Sequence, residues 1–159
     1  MAAGVDRYGK EDDNMKILNI RQATQSDTAV LAQHDNHIPT TVLSEKIARG
    51  EMIVAYENNN FVGWLRYGLF WDSIPFMNML CLLPKYQRQG LGRQIVQFWE
   101  AQMKAQGHKH VLTSTLQEEQ AQHFYTTLGY KSVGGFFPPD DSYELIFSKT
   151  LEEKCNPNS

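Results

Sequence analysis

The segment IPFMNMLCLLPKYQRQGLGRQIVQFWEAQ, residues 74–102, leaves the chain few architectures. Residues 74–83 are apolar almost throughout, as expected of a central strand covered on both faces. From Leu91 the period changes. Leu91, Ile95 and Phe98, with Val96, Trp99 and Met103 beside them, recur at helical spacing up to Gly107, which is placed to end the helix. A doubly covered strand that passes within a few residues into an amphipathic helix calls for a sheet in the middle and helices packed on it.

The junction reads Gln87-Arg88-Gln89-Gly90-Leu91-Gly92 and is followed by Arg93. The strand ends there, the chain turns, and the first N–H groups of the helix lack intrahelical partners. Those donors and the positive end of the helix dipole face one point, which suits an anion such as a diphosphate. Gly90 and Gly92 let the backbone approach it with no Cβ in the way, and Arg88 and Arg93 add charge. Dipole alignment contributes about 0.3–1 kcal/mol and each directed N–H bond to a charged oxygen roughly 1.5–3 kcal/mol, so the bonds supply most of the grip. The spacing is neither the dinucleotide fingerprint Gly-x-Gly-x-x-Gly nor a P-loop, because the Lys-Ser/Thr pair is missing. Taken alone, the hexapeptide fits a plain helix-start turn equally well.

Elsewhere the periodicity predicts strands at 16–23, 51–57, 61–70, 110–115, 130–136 and 142–151. Thr24 or Ser26 is expected to cap a short helix at 27–33, and Thr40 or Thr41 a helix ending at Ala48 before Gly50. Thr115 and Glu118 have the spacing of a capping box that opens a last helix, whose apolar face is Ala121, Phe124, Tyr125 and Leu128. The order β α α β β β α β α β β predicts a mixed α+β fold, a sheet with helices on both faces.

At 159 residues the chain is sized for one domain. Residues 1–14 are polar and read as a disordered extension, 15–152 as the domain and 153–159 as a polar tail; Met15 is an alternative start. A net charge of −3 gives no general attraction to nucleic acid or to an anionic membrane, so the anion site must be local. Cys81 in an apolar run and Cys155 in the tail make no disulfide framework. With no signal-peptide core and no membrane-spanning run, the expected setting is cytoplasmic. No Cys/His cluster has metal-ligand spacing, so no metal is expected.

Two stretches in sequence order, LCLLPKYQRQGLGRQIV and AQHFYTTLGYKSVG, resemble the acetyl-CoA motif and the following tyrosine-bearing segment of the GNAT superfamily of N-acetyltransferases. The resemblance covers about 16–151 and implies a GNAT-like fold, a mixed, mostly antiparallel sheet of six to seven strands. It implies acetyl-CoA as co-substrate, with its pyrophosphate on the amides of Arg88, Gln89, Gly90, Leu91, Gly92 and Arg93, and its pantetheine along the backbone of Leu80, Cys81 and Leu82. Cys81 is read as a buried strand cysteine rather than a nucleophile. The implied reaction is direct attack of an amine on the acetyl carbonyl, with Tyr125 as general acid or as a hydrogen-bond donor to the leaving thiolate. A tyrosine near 10 and a thiol near 8.5 make full proton transfer uphill by roughly 2 kcal/mol, which favours the second role unless neighbours lower the tyrosine. Tyr125 is also compatible with a plain place on the helix's apolar face.

The chain departs from the family pattern in two ways. Glu118 stands where many members have an asparagine that contacts CoA, and neither the central strand nor 110–115 carries a carboxylate to act as base. Asp72, His34, Asp35, His37 and water remain as candidates, Asp72 foremost. The acceptor pocket draws on Trp64, Arg66, Tyr67, Phe70, Trp71 and Asn78, and an aromatic pocket beside Asp72 would hold a cationic amine by cation–π attraction. The expected acceptor is a small-molecule amine or a protein or peptide amine, and the expected assembly a monomer or a homodimer. A non-catalytic acyl-CoA-binding module is the competing reading.

Overall fold

The computed structural model describes residues 16–117 and 120–151. The expectations for 1–15, for Glu118 and for 152–159 lie outside the described residues. Seven strands form one sheet in the order β1-β2-β3-β4-β5-β7-β6. These are β1 (Asn19–Gln22), β2 (Met52–Glu57), β3 (Asn60–Phe70), β4 (Ile74–Leu82), β5 (His110–Leu116), β6 (Lys131–Phe136) and β7 (Glu144–Thr150). The apolar β4 stands in the middle, as its sequence requires. Every pairing is antiparallel except β4 with β5, which are parallel.

Four helices cover the sheet: α1 (Thr28–His34), α2 (Thr40–Ala48), α3 (Leu91–Ala105) and α4 (Ala121–Thr127). α3 and α4 pack one face around Ile95, Trp99, Tyr125 and Leu128 against Leu65, Tyr67 and Phe147 of the sheet. Helices α1 and α2 pack the other face, with Leu31, Leu43 and Ile47 against Met52, Val54 and Trp64. Alternation along β3 therefore sends Leu65 and Tyr67 to one layer and Trp64 to the other. No helix among the described residues is long and apolar enough to cross a membrane.

Local expectations shift at four ends. The strand expected at 16–23 is reduced to Asn19–Gln22, although Ala23 N–H still bonds Met52 O at 2.9 Å. The first helix is preceded by a 3₁₀ turn, Gln25–Asp27, where the Asp27 carboxylate accepts from Thr24 N–H at 2.8 Å. Helix α2 follows Pro39 with no side-chain cap, so neither Thr40 nor Thr41 caps it. Thr115 lies within β5, paired with Leu145, because the β5–β7 ladder continues to Leu116, and the last helix begins at Ala121; Glu118, the other half of the expected capping box, lies outside the described residues.

Candidate active site

The β4–β5 seam builds the site. The β3–β4 ladder runs from Phe70↔Ile74 to Gly63↔Leu82, and the β5–β7 ladder from His110↔Thr150 to Leu116↔Glu144. Between these halves, β4 and β5 pair only at Phe76↔Leu112 and Met77↔Thr113, where Thr113 Oγ1 also donates to Met77 O at 3.1 Å. Past Met77 the strands splay and a cleft of about 250 Å³ opens between them, lined by Asn78, Leu80, Ser114, Thr115, Tyr125 and Glu144.

On the α3/α4 side the cleft continues into a groove of about 560 Å³, with Leu80, Ala121 and Tyr125 common to both. Gly90 precedes α3 with φ +76, a left-handed conformation that disfavours any residue with a Cβ, and a Cβ there would meet nothing within 4 Å. The first turn of α3 has no side-chain cap, so its N–H groups are left to whatever fills the groove. At Gly92, which lines the groove, a Cβ would lie 3.5 Å from Phe124, an ordinary contact. Arg88 and Arg93 line the groove, and neither has an ion-pair partner among the described residues.

Other loop residues play different parts. Leu91 is fully buried in the core, and Gln89 turns its amide to Lys85 O at 2.8 Å. Leu80 and Leu82 line the groove, whereas Cys81 packs on the opposite face with the α1/α2 core, leaving only its backbone to the groove's side. Burial, with the charge of Asp35, pushes the Cys81 thiol up, which suits an inert cysteine rather than a nucleophile.

On the α1/α2 side the cleft opens into a cavity of about 740 Å³, sharing Asn78 and Ser114 with it. Its walls include Lys46 of α2, Gly68 and Phe70 of β3, Phe76 of β4, Phe136 of β6 and Ile146 of β7. The three spaces thus form one passage through the sheet, with Tyr125 near one end of the cleft and Asn78 near the other.

Of the residues assigned to the acceptor, Asn78 and Phe70 line this passage, and Trp71 is 78% exposed at the β3–β4 hairpin tip with its ring 4.8 Å from Phe70. Trp64 and Arg66 do not line it. Both are held by Asp35, whose carboxylate accepts from Arg66 Nε at 2.8 Å and from Trp64 Nε1 at 3.2 Å, all three being buried. Tyr67 is likewise core, donating to Gly50 O at 3.0 Å and packing on Trp99.

The base candidates separate in the same way. Asp72 is exposed at the hairpin tip with φ +58 and lines none of the three spaces. Asp35 is committed to its ion pair, His34 stacks on Phe61 at 5.4 Å, and His37 is exposed. The carboxylate that does reach the cleft is Glu144, the first residue of β7. Leu145 and Phe147 pack towards α3 and α4, so alternation places Glu144 with Ile146 on the cavity side. Sequence reading missed it because nothing local marks it: its place is set by pairing with Leu116, far away along the chain.

Tyr125 is 7% exposed, its ring at 5.6 Å from Tyr130 and 6.3 Å from Phe147. Below it, Tyr130 donates to Glu100 at 2.9 Å and Lys149 pairs with the same carboxylate at 2.7 Å. Burial, together with Glu100, drives the Tyr130 hydroxyl far above the usual tyrosine range. Tyr130 is thereby fixed as a neutral donor that anchors the floor on which Tyr125 rests.

Comparison with known proteins bears on the same elements. A profile of the acetyltransferase (GNAT) domain matches residues 48–132, from the end of α2 into β6. A protein of Bacillus subtilis (strain 168), the uncharacterized protein YyaT, is 27% identical over 149 residues, covering 92% of this chain and 95% of that one. The crystal structure of Ard1 from Thermoplasma volcanium superposes with a TM-score of 0.74 at 12% identity, covering 86% of this chain and 99% of that one. The PaiA N-acetyltransferase of Thermoplasma acidophilum, crystallised with coenzyme A, superposes with a TM-score of 0.70 at 16% identity, covering 84% and 99%. Identities this low speak to the fold alone.

Proposed function

The chain belongs to the GNAT acetyltransferase family, and on that premise we propose that it moves an acetyl group from acetyl-CoA to a primary amine, both bound at once. The observation that carries this reading is the series of three adjoining spaces, with lining residues in common, from the arginine-flanked groove, past Tyr125, to the cavity on the other face. Two reactants enter from opposite sides and meet in the cleft, which replaces a bimolecular encounter by a held geometry.

The groove fits a CoA diphosphate. The first turn of α3, with no side-chain cap, offers directed N–H donors, Gly90 and Gly92 leave the approach open, and Arg88 and Arg93 supply charge with no ion-pair partner among the described residues. The splayed edge of β4 at Leu80–Leu82 carries backbone groups for the pantetheine arm. Acetyl-CoA brings an acyl carbon activated by its thioester and a thiolate leaving group. Glu144 takes the ammonium proton on the cavity side, so that the amine nitrogen can bond to the acyl carbon as the carbon–sulfur bond breaks. Tyr125, on the groove side, donates a hydrogen bond or its proton to the departing sulfur. The acceptor is a small-molecule amine or a protein or peptide amine, and the protein acts in the cytoplasm.

Thermal unfolding with acetyl-CoA, CoA, ATP and NAD tests the reading. At one hundred times its Kd a ligand adds about 2.7 kcal/mol, a shift of roughly 5–11 °C for a domain of this size. Both CoA species should give it, ATP and NAD should not, and Arg88→Glu should remove it. Thiol release on adding an amine then separates an enzyme from a module that only binds acyl-CoA. A folded protein that no CoA species stabilises would end the proposal.

A further inference from the structure

The cavity on the α1/α2 face has a chemistry of its own, and we propose that it selects a monoamine whose body is apolar and ring-bearing, excluding polyamines and lysine-rich peptides. The inference rests on the acetyl-transfer reading and specifies the acceptor within it.

Size comes first. About 740 Å³ is far more than a simple alkylamine fills, and it lies in the range that encloses a drug-sized body. The walls come next. Phe70, Phe76 and Phe136, with Ile146, make them largely apolar, and Phe70 and Phe76 lie ring to ring at 6.0 Å. These rings are not core: Phe70 is 37% and Phe136 49% exposed, which leaves aromatic surface without a partner in the protein's own fold.

Charge then decides between amines. The cation on the wall is Lys46, whose Nζ is bonded to Glu51 at 2.5 Å and to Tyr67 O at 2.8 Å. No carboxylate is among the described residues that line the cavity, and Glu51 is engaged by Lys46 and Arg49. A second ammonium in the acceptor's body would sit beside Lys46 with no acid to pair it. The first ammonium is treated differently: the throat to the cleft carries the uncharged Asn78 and Ser114, and beyond them Glu144. One positive charge is accommodated at the reacting end and none behind it.

The test compares kcat/KM for 2-phenylethylamine, spermidine and a lysine-rich peptide on the full chain with acetyl-CoA. Aromatic burial predicts a preference for 2-phenylethylamine of about tenfold or more over the other two. Phe136→Ala, on the exposed rim where folding is safe, should reduce kcat/KM for that amine by roughly tenfold while the acetyl-CoA thermal shift is retained. Spermidine or the peptide used as well as the aromatic amine would overturn the inference and leave the acetyltransferase standing. A thermal shift with acetyl-CoA but turnover of none of the three would overturn it also. Absence of the shift itself would remove the reading on which it rests.

Discussion

Asp35 and Arg66 could both be mistaken for site residues, and replacing Asp35 by alanine separates the two roles. The Asp35 side chain is fully inaccessible, and that of Arg66 is 9% exposed. Alanine at 35 removes the acceptor of Arg66 Nε at 2.8 Å and of Trp64 Nε1 at 3.2 Å, leaving a guanidinium and an indole N–H inside the α1/α2 layer with nothing to bond. Breaking a buried pair from one side costs about 3–5 kcal/mol, because the remaining charge keeps its desolvation penalty. That is a large part of the 5–15 kcal/mol that holds a typical domain together, so Asp35→Ala should lower the urea midpoint sharply. Asp35→Leu combined with Arg66→Met should recover most of the loss, since an apolar replacement of similar volume leaves no orphaned charge. Activity per folded molecule, measured at low temperature, should stay within about twofold in the double variant. A single variant as stable as the parent would refute the energetic argument, and a well-folded double variant without turnover would put Asp35 or Arg66 back in the reaction.

Three further outcomes follow from the same geometry. Tyr125→Phe keeps the ring contacts with Tyr130 and Phe147 and removes the hydroxyl, so kcat should fall by about ten- to a hundredfold, read by thiol release, while the acetyl-CoA thermal shift is retained. Glu144→Gln should lower kcat/KM at neutral pH by about a hundredfold and leave acetyl-CoA binding intact, with the activity recovering as pH rises towards the amine's own pKa near 10.4. Burial alone would raise the Asp27 carboxyl, but hydrogen bonds from Arg21, Thr24 N–H and Tyr56 outweigh it and hold it at about 2, below its ordinary 3.8. A depressed carboxyl stabilises the fold above its unfolded pKa and loses that contribution as pH falls through the folded value. About 2 kcal/mol should therefore disappear between pH 4 and pH 2, and Asp27→Asn should flatten stability across that window in acid titrations followed by circular dichroism.

How far residues disclose their own place depends on the range of the interaction that sets it. The loop at Gly90 is local: a strand, a glycine-containing turn and a helix start are written within a few positions, and the structure puts β4, Gly90 at φ +76 and the start of α3 there. The sequence expectation puts Trp64 and Arg66 at the acceptor pocket, yet a strand pattern cannot tell that they are closed off by Asp35, which comes from the end of α1. Thr115 matches a capping pattern on local grounds, yet local spacing cannot show that β5 runs on through it to Leu116 in register with β7. Asp72 drew attention as an acid at a strand junction; the hairpin turns it to solvent, with Trp71 and Asp72 both at positive φ.

Glu144 was invisible for a deeper reason, and the same reason bears on what the enzyme selects. The passage opens because β4 and β5 are each tied into a long antiparallel ladder on their far side and to one another only at Phe76↔Leu112 and Met77↔Thr113. Each half of the sheet is paired continuously within itself, so the seam is where the halves diverge and where backbone and side chains remain open to the cleft. The β1–β4 half, with α3, carries the loop at Gly90 and the edge of β4. The β5–β7 half carries Ser114, Phe136, Glu144 and Ile146, and with them part of the cavity wall and the acid. On the proposed reading, exchanges at Phe136 of β6 and Ile146 of β7 would remake part of the acceptor wall without disturbing the loop at Gly90, while Lys46, Phe70 and Phe76 supply the rest from the other half. Acceptor choice on that reading is shared by both halves across the seam, away from the loop at Gly90, which is why the motif that marks the family says so little about the amine.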